Sequence, residues 1–375
     1  MRVKILLILT VFSLGIYFLN PIHPDEGVFG TIAQSMLHGK VIYRDLFDHK
    51  PPGIHVLLAG TFYLFGDSIL SLRAIVIFAN IISAFLVYFF LREVGERLAI
   101  LGSILFLLVV PLVHGTYALT EVFTVPFLLL SVYYIVRHIE KRWHILGSGF
   151  FLGVCLLFKI TFLLTALACI LYLIVSASTF KNGVKRAVYF SIGLIVPLAV
   201  LVLMALYYQL HSELIEQVIR FVLVNYPPEI NHRYISLLVF LSFSLLGFFI
   251  VVFYGMREKS MYFKQKKVIL LIIMSIIPSL IYRPYHHYWI PIIPFLIIFS
   301  ILGVNGKKWR EKVLLVNGIA ISVVFLFYTA YIGYPKLQHQ IHTAKEIENC
   351  AQVHDPITYF LAKCTPEKKY FFEVF

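Results

Sequence analysis

The chain alternates long apolar runs with short polar stretches. Runs long enough to cross a bilayer as helices fall at about Ile5–Leu19, Ile69–Leu91, Leu98–Val113, Glu121–Val136, Ile145–Phe158, Ile160–Ser176, Ala187–Tyr208, Ile235–Tyr254, Val268–Ile281, Tyr288–Val304 and Val313–Ile332. The pattern predicts an all-α polytopic membrane protein with about eleven transmembrane helices. Met1–Asn20 starts basic and has no small-x-small site before Pro21, so it reads as an uncleaved first span. One long polar stretch interrupts the first half: Asp25–Pro52, DEGVFGTIAQSMLHGKVIYRDLFDHKPP. Inside it Val28, Ile32, Ala33, Met36 and Leu37 recur at helical spacing, with Asp25 as a candidate cap and Gly39 as the stop. That spacing predicts a helix lying in the membrane interface. Pro51 drives Lys50 out of the α region, and Pro52 can open the next helix. Gly53–Phe65 is short for a span and reads as a second interfacial or re-entrant helix.

Composition supports a lipid solvent. Of 375 residues 60% are hydrophobic and only 14% charged, and the charges are clumped between the apolar runs. The formal charge of +13 would suggest nucleic acid in a soluble protein. Here it fits basic cytoplasmic loops and attraction to anionic lipid or phosphate, and no nucleic-acid partner is expected. Lys and Arg are unevenly split: roughly nineteen on the side of Arg2 and Lys4 against seven in the opposite short loops. That bias places the N-terminus in the cytoplasm and residues 21–67 on the external face. The reading is then a transmembrane catalytic body over residues 1–332 and a short external tail over 333–375, with no internal repeat. Cys155 and Cys169 sit in apolar runs and read as small core residues. Cys350 and Cys364 lie in the tail and can pair if it is external.

Polar side chains capable of chemistry gather on that external face. They are Asp25, Glu26, Asp45, Asp48, His49 and Lys50 in the opening loop, Tyr117 and Glu121 in HGTYALTEVFTVP, and Lys159 in LLFKIT. The turn YRPYHHY adds Arg283, His286, His287 and Tyr288, and the longer loop Gln209–Tyr234 holds NYPPEINHRY. Each has a structural alternative. Asp25 can serve only as a cap, Glu26 and Asp45 read as solvated loop charges, and Lys50 can snorkel to headgroups. Glu121 suits a helix N-terminus as well as a site, and the histidine pair suits an aromatic belt. Arg73 snorkels or pairs. Lys159, almost alone between apolar runs, requires an anionic partner. Asp25, Glu121 and His49 are candidate ligands for a divalent metal, although no spacing is diagnostic.

An acidic pair after the first span, a helix ending in Gly and a Lys-Pro-Pro run resemble the GT-C membrane glycosyltransferases. The specific part is DEGVFGTIAQSMLHGKVIYRDLFDHKPPG, similar to the opening loop of the protein mannosyltransferase and aminoarabinose transferase superfamily. LTEVFTVP, LLFKIT and YRPYHHYWIPIIP extend the likeness more loosely over roughly the first three hundred residues. The resemblance implies a GT-C-type fold and inverting transfer of a sugar from a polyprenyl-phosphate donor to a glycan, lipid or protein acceptor. It implies that Asp25, with Glu26 beside it, is the catalytic acid position and Glu121 the second acidic position. It implies that Lys50 contacts the lipid phosphate, with Lys159 at the later lysine and His287 and Tyr288 as the late histidine-tyrosine pair. Arg283 joins the phosphate-binding cations, and His49, Tyr117 and His286 the substrate-binding groups. His49 departs from the aminoarabinose transferases, which carry an acid there, and no long soluble C-terminal domain follows within these residues. The competing class is a transporter or flippase of lipid-linked sugars. It predicts mid-span charges, broken helices and two related halves.

Overall fold

His23 starts the first helix of the opening loop, α1 (Pro24–Leu37). Pro24 occupies the first helical position, where its missing N–H costs nothing. His23 Nδ1 accepts from the Asp25 N–H at 3.2 Å, and Glu26 Oε2 accepts from the His23 N–H at 3.0 Å. Together these close a capping box. The cap is therefore His23 and not Asp25, which leaves the Asp25 side chain out of the capping role. Gly39, at φ +85°, follows the helix end in the left-handed region.

The fold comes from a computed structural model that describes residues 15, 17–225, 252–254, 256, 266–282, 285–304, 307–345 and 355–364. After α1 come α2 (Gly53–Phe65), α3 (Ile69–Leu91), α4 (Glu96–Val109), α5 (Thr120–His138), α6 (Arg142–Phe158), α7 (Phe162–Val175) and α8 (Phe180–Tyr207). A short turn, His211–Leu214, runs into a π-helical segment, Ile215–Asn225. Then follow α9 (Lys266–Tyr282), a 3-10 turn at His286–Trp289, α10 (Ile293–Val304), α11 (Lys308–Tyr328), α12 (Tyr334–Lys345) and α13 (Pro356–Leu361). Among the described residues the β structure is one isolated bridge, Ile42 to Leu46. Four of the described helices are long and apolar enough to cross a membrane: Ile69–Leu91, Glu96–Val113, Thr120–His138 and Phe180–Tyr207. The expected spans at 5–19 and 235–254 lie, apart from their ends, outside the described residues.

Several boundaries differ from the hydropathy reading for local reasons. Pro111 tightens the end of α4 into a 3-10 turn, Val110–Val113. α8 begins at Phe180 because Thr179 caps it, its hydroxyl accepting from the Asn182 N–H at 3.3 Å. Lys181, Lys185 and Arg186 therefore extend the helix beyond the apolar run and are not loop residues. α10 begins at Ile293 because the preceding His286–Trp289 turn is 3-10.

Packing of α6 sets one wall of the site. α6 carries Gly149 and Gly153 four residues apart and crosses α8 so closely that a Cβ at Gly149 would clash with the Phe190 carbonyl oxygen. Small residues at that spacing allow helix backbones to touch in lipid, where burial alone gives no drive to associate. On its other side α6 meets α5 through the buried Ser131–Ser148 hydroxyl pair at 3.0 Å. Its last turn meets the first turn of α2: a Cβ at Gly53 would lie 2.5 Å from the Leu157 carbonyl oxygen. That approach puts the segment ending in Lys50 beside the segment ending in Lys159.

The described tail folds back over the opening loop. Gln340 Nε2 donates to the Ile22 carbonyl at 3.1 Å, and Gln34 Nε2 donates to the Phe360 carbonyl at 3.3 Å. Phe360 stacks on Phe62 at 5.9 Å, and Lys363 pairs with Asp67 at 2.8 Å. Covered by α2 and α13, most of α1 is buried. Cys364 is disulfide-bonded, whereas Cys155 and Cys169 are free and buried. Cys350 lies outside the described residues.

The α6–α8 crossing is testable. Gly149→Ala should lose about 2 kcal/mol in thermal unfolding of the detergent-purified protein, although alanine favours a helix. Gly60→Ala, where nothing lies within 4 Å, should lose none.

Candidate active site

Two buried ion pairs hold the polar end of the bundle together. The first joins Glu26 of α1 to Arg73 of α3, and both side chains have no exposed surface. Glu26 Oε1 also accepts from the Ala118 N–H at 2.6 Å. Arg73 donates further to the Pro21 carbonyl at 3.0 Å and, more weakly, to those of Asn20 and Thr116. Its guanidinium lies 5.5 Å from the Tyr117 ring centroid. Two opposite charges with most of their hydrogen-bonding capacity used can tolerate low dielectric. Glu26 is thus no solvated loop charge, and Arg73 pairs instead of snorkelling.

The second pair joins Glu121, in the first turn of α5, to Lys159 at the end of α6. This is the anionic partner that a lone buried lysine requires. Both residues are buried, and Thr120 Oγ1 donates to the other Glu121 oxygen at 3.0 Å. His287 Nε2 stands 3.9 Å from the oxygen that takes Lys159. The Tyr288 ring lies under the ammonium, 3.3 Å from Nζ to its centroid, a cation–π contact. A small pocket opens here, lined by Glu121, Lys159, Thr161 and Tyr288 and by apolar Phe162 and Ile276.

Asp25 and Lys50, from the opening loop, lie within electrostatic range of the Lys159 ammonium, and Asp25 within range of His287. Among the described residues no side-chain hydrogen bond occupies the half-buried Asp25 carboxylate. Lys50 Nζ is 2.6 Å from His49 Nε2, and the Lys50 N–H donates to Asp48 Oδ1 at 3.0 Å. Asp48 anchors this loop: His55 Nε2 is 2.9 Å from Oδ2, and the Asp48 N–H donates to the buried Gln217 at 3.2 Å. Burial would raise the Asp48 carboxyl, but the His55 hydrogen bond and the charges of His55, His49 and Lys50 hold it down to about 2. Asp45 stays a surface charge, paired with Arg44 at 3.2 Å.

A further cluster adjoins the pair. His23, His114 and Tyr117 pack together, with ring centroids of His23–Tyr117 at 5.3 Å and of His114–Tyr117 at 5.4 Å. His286 is 5.2 Å from His114. Burial is the main reason that His114 and His287 are both pushed down to about 3, so both rings are neutral. The metal candidates Asp25, Glu121 and His49 do not form a ligand group. Among the described residues the group with that geometry is His23, His114 and His287. Arg283 lies outside the described residues.

Sequence reasoning passed over His23, His114 and His55. Histidine is not among the usual capping residues, so HPDE did not mark His23. A left-handed φ of +67° at His114 and a contact between Asp48 and His55 leave no local signature.

Residues 49–208 match the family model described as dolichyl-phosphate-mannose-protein mannosyltransferase. The structure is similar to ArnT from Cupriavidus metallidurans bound to undecaprenyl phosphate, at 18% identity and TM-score 0.65, covering 96% of this chain and 67% of that one. Against the apo form of that protein the values are 14% and 0.71, covering 96% and 84%. Fold and family match agree. The chain has the fold of these GT-C membrane transferase structures. The Archaeoglobus fulgidus oligosaccharyltransferase tethered with an acceptor peptide shares that GT-C fold at 15% identity and TM-score 0.56, covering 98% of this chain and 60% of that one. No curated protein sequence matches the chain.

Two stability measurements check the site's supports. Glu26→Gln or Arg73→Met alone should cost about 3–5 kcal/mol, because each strands a buried charge, and the double variant should recover part of that loss. Losses that simply add would contradict the pairing. Asp48 contributes in full above its ordinary value of 3.8, and this contribution disappears as pH falls toward 2. Wild type should therefore lose about 2 kcal/mol across that window, and Asp48→Asn should flatten the slope.

Proposed function

We propose that this GT-C chain transfers a sugar from a polyprenyl-phosphate donor to an acceptor hydroxyl or amide on the external face, with inversion. The reading rests on one observation. Among the described residues the Asp25 carboxylate carries no side-chain hydrogen bond, and it lies within electrostatic range of His287 and of Lys159, which Glu121 holds and which Lys50 also reaches electrostatically. The neighbouring small pocket brings polar Glu121, Lys159 and Thr161 together with apolar Phe162 and Ile276. Solved structures of the same fold hold undecaprenyl phosphate in ArnT and dolichol-phosphate in the archaeal oligosaccharyltransferase AglB, which supports that donor class. The positive-inside count supports the external face.

In this mechanism the acceptor heteroatom attacks the anomeric carbon, and its proton passes to Asp25. The bond from that carbon to the donor oxygen breaks, and the electron pair stays on the departing phosphate. Lys50 and Lys159 neutralise the charge that develops there. Glu121, Tyr288 and His287 hold Lys159 in place. Glu26 acts as a positioning residue: it fixes the first turn of α1 and with it Asp25. His49 orients Lys50, and Tyr117 and His286 border the acceptor side.

Turnover of radiolabelled polyprenyl-phosphate sugars by the purified protein tests this. Asp25→Asn should lower kcat about 10²–10⁴-fold, and Lys50→Met about 10²-fold, with the fold retained. Full activity in a folded Asp25→Asn variant would refute the assignment.

A further inference from the structure

We infer that His23, His114 and His287 form a binding site for a divalent transition-metal ion of the zinc class. One ligand nitrogen from each ring lies within 4.8 Å of the others. The rings arrive from three remote segments: the entry to α1, the turn after α4 and the turn before α10. Zinc–nitrogen bonds of about 2.0–2.1 Å require ligand nitrogens roughly 3.3 Å apart, so modest side-chain rotations close the site.

One feature of His114 points to a ligand: among the described residues its Nδ1 is buried with no hydrogen-bond partner. An unmet buried nitrogen costs about 1–3 kcal/mol, and drawing the ring into a coordination sphere offsets that cost. The Glu121 carboxylate, 3.9 Å from His287 Nε2, places negative charge beside that ring. Three neutral nitrogens with no oxygen ligand select zinc, copper or nickel over magnesium, calcium or manganese.

Ligation has a structural consequence. His23 Nδ1 accepts the Asp25 N–H at 3.2 Å, so its neutral ring carries the proton on Nε2. Binding through either nitrogen rearranges that contact. Metal occupancy therefore couples to the first turn of α1, which carries Asp25. Glu26 still accepts from the His23 N–H and retains the other half of the cap.

The test uses tag-free full-length protein in detergent, stripped with chelator and titrated with cobalt(II), followed by visible absorption and zinc competition. Wild type should take up one equivalent, zinc should displace it, and a large excess of magnesium should not. His114→Gln and His23→Gln should each weaken zinc binding at least about ten-fold. His138→Gln, in the separate His138–His144 pair at 4.3 Å, should leave it unchanged. Wild type that takes up no cobalt overturns the site whether or not the variants fold. Folded His114→Gln and His23→Gln proteins that bind as wild type, or loss on His138→Gln instead, also overturn it. No sugar donor is present, so either outcome leaves the transferase reading untouched.

Discussion

The buried Glu26–Arg73 ion pair is the constraint on which the polar end of the bundle depends. It ties three segments that the sequence separates: the first turn of α1, the start of α3, and the turn that carries Thr116 and Ala118. A charge so placed has no water to fall back on, so geometry must supply its partners. Once those partners are fixed, the neighbour of Glu26 is fixed too. Asp25 stands in the same first turn.

Close backbone contact does the corresponding work on the other side. Gly149 lets α6 lie on α8, and Gly53 lets α2 lie on the end of α6. The two loops that end in Lys50 and Lys159 thereby meet. Two ammonium groups held near one another favour an anion between them. The Glu121 carboxylate answers Lys159, and His49 stands beside the Lys50 ammonium. The tail adds a cover: α13 lies along α1, and its contacts with Gln34, Phe62 and Asp67 hold the opening loop against the bundle.

Much of this was legible in the chain. Gly53–Phe65 and Ile69–Leu91 stand where apolar runs bounded by Pro52 and Ser68 put them. Lys159 announced its need for an acid because a lone cation in an apolar run has few alternatives. Glu26 was misread because burial depends on Arg73, a residue 47 positions away. The histidine cluster was missed for a similar reason: His23, His114 and His287 share no spacing, and only the fold brings them together. Hydropathy also ended spans at charges, whereas α8 carries its helix through Lys181, Lys185 and Arg186.

A structure of the protein with a bound polyprenyl phosphate tests the central claim most directly. The account predicts the phosphate against Lys50 and Lys159, beside the Glu121–Lys159 cavity and facing Asp25. A phosphate seated instead at the opposite, basic end, among Arg137, Arg142 and Lys185, would contradict it.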